Sequence, residues 1–228
     1  MNAITLDRAE QAIGQIAVEL PGATAVFRRL KLDFCCGGQV ALREACDGKG
    51  LPVEKVLAEL ATLDRPVNLD APVEAGALID HILERYHAVH RDQLPELIRM
   101  ARRVEAVHRD HADVPAGLAD HLEQMEGELL DHMAKEEEIL FPILKAGGSP
   151  MAQYPIMAMR TEHTGHGQQL EHLMALTNDA TPPMGACNTW RALYAGIGQL
   201  QNDLINHIHL ENNLLFPGFE PGPQECCA

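Results

Sequence analysis

The pattern His-x3-Glu-x4-Phe-Pro occurs twice in this 228-residue chain. The first copy is His132, Glu136, Phe141 and Pro142; the second, 75 residues later, is His207, Glu211, Phe216 and Pro217. A His-x2-His pair precedes each copy, His87/His90 before the first and His163/His166 before the second. A histidine and a glutamate four apart on a helix share one face and can reach one ion. Two such helices facing each other bring imidazoles and carboxylates to a shared point. That is the ligand chemistry of a carboxylate-bridged pair of irons. Solvated His/Glu pairs are common on helices. Duplication in register, with two further histidines, sets these pairs apart.

Those residues need helices that hold them at one level, and the breakers define such helices. One helix is expected from about Pro72 to Asp110, with Pro95 kinking it. A second runs from about Pro115 to Lys145. A third covers about 152–177, after a Gly147–Pro150 loop in which Ser149 and Pro150 suit N-cap and N1. The fourth covers about 188–215 and stops at Pro217. Short connections make neighbours antiparallel. Counting residues from each turn then places His87, His132, Glu136, His163, His207 and Glu211 at one level of a four-helix bundle. Two irons in this set share two carboxylates and take about two imidazoles each, with a bridging solvent oxygen, so coordination is incomplete and a small ligand fits. His90 and His166 could be alternative ligands, supporting groups or surface residues; the last two readings are favoured. Glu128, one turn before His132, is a candidate supporting acid. His108 lies 21 residues beyond His87, about 31 Å along a continuous helix, and so falls outside the site. His81, His111, His121, His172 and His209 read as ordinary surface or packing residues.

Composition narrows the partners. Hydrophobic residues make up 46% of the chain but aromatics only 4%, so the core must be mainly aliphatic. A formal charge of −15 argues against nucleic acid or an anionic membrane as partner, since both attract basic patches. No apolar run approaches the length of a membrane span, and Met1–Glu10 carries acids where a signal core would be apolar; a cytoplasmic location is expected. Of the six cysteines, Cys35/Cys36 and Cys226/Cys227 are adjacent pairs, with Cys46 and Cys187 single. Adjacent cysteines bridge each other only with strain, so these read as free thiols rather than a disulfide framework.

All 12 histidines lie at or after His81, whereas residues 1–80 hold three of the cysteines. This shift, with the Pro- and Asp-containing stretch 63–73 as linker, divides the chain into a short helical domain, 1–66, and a bundle domain, 72–220. In the short domain, helices are expected from Thr5 to about Leu20, from Ala23 to about Leu32, and from Pro52 onward. Asp33–Gly38 forms a turn between them. So small a core is expected to lean on the bundle domain or on a second copy of the chain, as in a homodimer.

Taken together, these stretches resemble the iron-sulfur cluster repair di-iron proteins, which join a short domain to a hemerythrin-like one. The likeness lies in Asp33-Phe34-Cys35-Cys36-Gly37-Gly38, Arg85-Tyr86-His87, Gln93–Leu97, Lys135-Glu136-Glu137 with Ile139–Pro142, and Leu210–Asn213 with Leu215–Pro217. It implies an all-α fold and two iron ions with an oxo or hydroxo bridge, held by the six residues named above. It also implies repair of iron-sulfur clusters damaged by nitrosative or oxidative stress. Nitric oxide or another diatomic would be a ligand, damaged iron-sulfur proteins the targets, and an external electron donor is needed because no flavin or nicotinamide motif is recognisable. Cys35 and Cys36, read as a low-pKa thiol pair near glycine amides, could take up iron, nitrosyl or an electron. A cytoplasmic scavenger or sensor of nitric oxide, or a nitric oxide reductase without a repair role, is the competing reading. For Cys226 and Cys227 a solvated tail is expected.

Overall fold

A computed structural model describes residues 8–20, 22–63 and 74–220. The linker stretch from 64, Thr5, and Cys226/Cys227 therefore lie outside the described residues. The chain divides into two compact units: Met1–Glu74 with Ile208–Gly218, and Ala75–His207 with the residues from Phe219 on.

In the first unit, short apolar runs set the helices: α1 (Ile13–Glu19), α2 (Ala23–Arg29), α3 (Leu42–Asp47) and α4 (Val53–Ala61). In α4, Val53, Val56, Leu57 and Leu60 fall on one face at helical spacing and are buried. The expected continuous helix up to Leu20 is interrupted at Gln11–Ala12. There the backbone opens to pair with the segment before α3: Ala12 bridges Ala41, and Ile13 N–H and Gly14 N–H donate to the carbonyls of Val40 and Gly38. Phe27, Phe34, Ile13, Ile16 and Leu42 are buried in this unit, and so are Leu215 and Phe216 from its Ile208–Gly218 stretch. The few residues of the N-terminal helices thus share a core with the end of the chain's last helix.

The second unit is built on long helices. α5 (Ala75–Ile82) passes through a π-turn at Leu83–His87 into α6 (Ala88–Val107). α7 (Leu118–Lys135) passes through a π-turn at Glu136–Leu140 into α8 (Phe141–Lys145). Then follow α9 (Gln153–Leu176) and α10 (Asn188–Leu210), which runs on into a π-turn at Glu211–Leu215. The fold is all-α, a short helical domain followed by a hemerythrin-like antiparallel four-helix bundle. At the start of α9, Ser149 Oγ accepts the Met151 N–H at 3.2 Å, the cap its sequence suggested. Pro95 stands inside an uninterrupted α6; the irregularity in that long helix falls at Leu83–His87 instead.

The π-turns explain the spacing of the repeat. Phe141 N–H bonds to the carbonyl of Glu136, and Phe216 N–H to that of Glu211, five residues back rather than four. Glu-x4-Phe is therefore one wide turn. The proline that follows has no N–H to offer, so the change of register falls where the α-helical ladder would in any case lose a bond. Such single wide turns recur at functional sites. Here each of the three includes a ligand-type residue: His87, Glu136 or Glu211. Among the described residues, no helix is long and apolar enough to cross a membrane.

Candidate metal centre

Six buried side chains converge. His87, His132, Glu136, His163, His207 and Glu211 are each no more than 1% exposed. One ligand-type atom from each of His87, Glu136, His207 and Glu211 lies within 4.8 Å of the others, and the same holds for His132, Glu136, His163 and Glu211. Glu136 and Glu211 belong to both groups. The two halves are alike in detail. His87 Nε2 lies 3.1 Å from His207 Nε2, and His132 Nε2 lies 3.1 Å from His163 Nε2. Glu136 Oε2 is 3.4 Å from His87 Nε2 and 3.5 Å from His132 Nε2. Two imidazoles bound to one cation at right angles, with bonds of ~2.1 Å, would set their nitrogens about 3 Å apart. The donor set therefore fits a cation in each half, with carboxylates between the halves.

Tautomers favour the same reading. His87 Nδ1 lies 2.7 Å from Glu137 Oε1, and His132 Nδ1 lies 2.9 Å from Glu162 Oε2. A carboxylate only accepts, so both Nδ1 atoms donate and both Nε2 atoms turn their lone pairs inward. Glu137 also meets Arg91, and Glu162 also meets Lys135. Burial pushes the Glu137 carboxyl up, but hydrogen bonds from Arg91 and His87 outweigh it and hold the group below its ordinary range. Ring packing closes the site. Tyr86 stacks on His207 with centroids 5.5 Å apart, and Phe141 packs on His87 at 5.7 Å.

The structure brings all six sequence-predicted ligand candidates together, and it places the other histidines as follows. His90 and His166 are 0% and 4% exposed, so neither is a surface residue, and neither joins the two groups. Burial lowers the His166 imidazole's pKa, as do His163 and His207, against a hydrogen bond to Gln169 and the Glu128 charge. His108 Nε2 sits 3.2 Å from Cys187 Sγ with its ring against Trp190. His209 is buried, its pKa pushed down to about 4 by desolvation despite a hydrogen bond to the Phe34 backbone. Glu128 is exposed and meets Gln169, which in turn meets His166. The supports that sequence reasoning missed are Glu137 and Glu162. Each is a direct chain neighbour of a ligand candidate, Glu136 and His163 respectively, but supports a histidine on another helix. Only packing could show which one.

The thiol pair has a different environment from the expected one. Asp33 gathers the loop: its Oδ1 accepts the N–H groups of Cys35 and Cys36, and its Oδ2 accepts that of Gly37 at 2.9 Å. Three of the loop's amides, Gly37's among them, are spent on this carboxylate. Cys35 and Cys36 Sγ atoms are 3.7 Å apart. Hydrogen bonding to Cys36, burial and the nearby Cys36 and Asp33 charges all raise Cys35 well above the ordinary thiol range, so it is not a low-pKa thiol. Asp33, Cys35 and Cys36 nonetheless form a third cluster of metal-ligand atoms. The loop rests on the residues just after Glu211. Asn212 Nδ2 donates to the Cys35 carbonyl at 3.0 Å, and Asn213 Nδ2 to that of Phe34 at 3.2 Å. Phe34 packs edge-on against His209. Gly14 and Gly38 make room, since a Cβ on either would stand within 2.7 Å of Asn213 Oδ1.

A bundle with this site is a hemerythrin-type cation-binding protein, and comparison with known families agrees. Residues 78–219 match the hemerythrin HHE cation binding domain, and residues 9–64 match ScdA_N, a domain of unknown function. The Escherichia coli O157:H7 protein called iron-sulfur cluster repair protein YtfE is 48% identical over 212 residues, covering 91% of this chain and 96% of that one. Its counterpart of the same name in Musicola paradisiaca is 49% identical, covering 91% and 95%. A Haemophilus influenzae protein named probable iron-sulfur cluster repair protein is 46% identical, covering 92% and 96%. The chain belongs to the YtfE family.

Proposed function

We propose that this protein repairs iron-sulfur clusters damaged by nitrosative or oxidative stress, working from a di-iron centre. The observation that carries the reading is the pair of like ligand groups sharing two buried carboxylates, in a chain similar over nearly its whole length to proteins named for that repair. The ligands are His87, His132, Glu136, His163, His207 and Glu211, holding two irons with an oxo or hydroxo bridge. When bound, the iron pair supplies a redox-active site for nitric oxide or another diatomic and a store of labile iron.

The chain's own residues do the rest. Glu137 and Glu162 orient His87 and His132 and keep their inward nitrogens deprotonated. Tyr86 and Phe141 restrict solvent beside the imidazoles. Residues 72–220 hold the iron and residues 1–66 carry the thiol pair, with Cys35 and Cys36 as acceptors of iron or nitrosyl. Asn212 and Asn213 tie the thiol loop to the helix that bears Glu211, which supports this division of labour. Targets are damaged iron-sulfur proteins in the cytoplasm, and sustained turnover draws on an external electron donor.

The test is iron content and Mössbauer spectroscopy of the purified protein, followed by reactivation of a nitric oxide-treated [4Fe–4S] dehydratase. Two irons per chain and restored dehydratase activity are expected. The double variant Cys35→Ala/Cys36→Ala should keep the di-iron spectrum and lose reactivation. A protein that binds two irons and nitric oxide yet never reactivates the target would be a scavenger or sensor instead.

A further inference from the structure

His166 is wired as a metal ligand but stands outside both ligand groups. It lies one turn beyond His163 on α9, with its ring centroid 5.0 Å from that of His132. Its Nδ1 is 3.3 Å from Gln169 Oε1, and Gln169 Nε2 donates to Glu128 Oε2 at 2.7 Å. The direction of this chain is set at its outer end. Glu128 only accepts, so the Gln169 amide presents its NH2 outward and its oxygen to His166. That oxygen also only accepts, so His166 Nδ1 carries a hydrogen. A cationic ring would bury an unpartnered N–H at the other nitrogen, at a cost neutrality avoids. Nε2 therefore holds a lone pair. It is buried and has no hydrogen-bond partner among the described residues.

An acceptor left unmet in a buried position is destabilising, which makes its retention beside a metal site informative. The arrangement repeats that of His87 and His132, whose Nδ1 atoms are held by acceptors while their Nε2 atoms face inward. Around His166 the burial also grades outward: His166 is buried, Gln169 half-buried and Glu128 exposed. An imidazole nitrogen suits ferrous iron.

We propose that His166 Nε2 is a transfer ligand, which takes the iron of the His132–His163 half as it leaves. This rests on the reading that the site holds iron it can give up. The step is ligand exchange: a bond from His166 Nε2 to ferrous iron forms as a bond from His132 or His163 breaks. The iron stays ferrous, and no proton moves because Nε2 is already deprotonated.

The experiment follows ferrous iron leaving the full-length, iron-loaded protein into excess phenanthroline-type chelator. His166→Phe keeps the ring's bulk and should retain both irons but release one of them severalfold more slowly. His166→Cys restores a donor and should recover much of the rate. Gln169→Leu leaves His166 in place without its fixed tautomer and should give an intermediate rate. A group that merely supported binding would act in the opposite sense, with release accelerated by about tenfold on its removal. Unchanged or faster release in His166→Phe and Gln169→Leu overturns the proposal. Wild-type protein that holds no iron overturns the di-iron reading instead, and the chelator assay keeps the two failures apart because it needs no cluster repair.

Discussion

Removing the carboxylates behind the imidazoles isolates what orientation contributes to metal binding. Glu162→Ala leaves His132 Nδ1, now 2.9 Å from Glu162 Oε2, without its acceptor, and Glu137→Ala does the same for His87 Nδ1. Loss of such a supporting group weakens metal binding by roughly 10–100-fold, about 1.4–2.7 kcal/mol. The structure points to the lower end. Glu162 and Glu137 side chains are 30% and 32% exposed, so water can replace part of the hydrogen bond. Each carboxylate is also shared with a cation, Lys135 or Arg91, which dilutes its pull on the imidazole. A tenfold loss, about 1.4 kcal/mol, is expected in each single variant, confined to one of two irons. The double variant should lose it at both irons, since the two carboxylates serve different halves. Glu162→Gln and Glu137→Gln keep an acceptor oxygen and should lose less. Competition with a ferrous chelator of known affinity, read as a two-step curve, measures each iron separately. Wild-type affinity at both irons in Glu162→Ala and Glu137→Ala would refute the view that these residues set the tautomer.

Three further outcomes are expected. Glu136→Ala, which removes a member of both groups, should lower iron content toward one or none per chain, whereas His87→Ala should open only one half; full retention in Glu136→Ala, read by elemental analysis, would remove it as a shared ligand. Gly38→Ala would set a Cβ 2.7 Å from both Asn213 Oδ1 and the Phe34 carbonyl oxygen, so thermal unfolding should show destabilisation by about 1–3 kcal/mol; an unchanged melting temperature would mean the loop is not seated on Asn213 in solution. Burial and Asp33 still raise Cys35 once the Cys36 thiol is gone, so in a Cys36→Ser variant Cys35 should be alkylated by iodoacetamide more slowly at pH 8 than a cysteine in a model peptide. Faster labelling would restore the low-pKa reading.

Ligand types and their spacing were written in the chain. His-x3-Glu repeated in register, with a histidine at matching depth on each facing helix, is a local pattern. A helix converts sequence distance into height and face without help from the rest of the fold. The same arithmetic kept His108 out of the site, and the structure puts it against Cys187 and Trp190. Apolar periodicity and Pro/Gly breakers likewise located the long helices to within a few residues. The π-turns were present as Glu-x4-Phe-Pro but could not be read as such, because a one-residue widening costs little locally and is decided by which side chains must face the centre.

Other features depended on which helices face each other, and single-chain periodicity is silent on that. Glu137 and Glu162 sit beside ligand candidates in sequence and act on histidines 50 and 30 residues away. His90 and His166 follow His87 and His163 at the same interval as many solvated residues, and only the packed bundle makes them buried. The thiol loop shows the same division. Its cysteines and glycines were legible. The raised Cys35 pKa was not, because it arises from the hydrogen bond to Cys36, burial, and the Cys36 and Asp33 charges that the folded loop brings together. Sequence supplied the donor atoms; their protonation, orientation and burial came from neighbours brought together only by the folded chain.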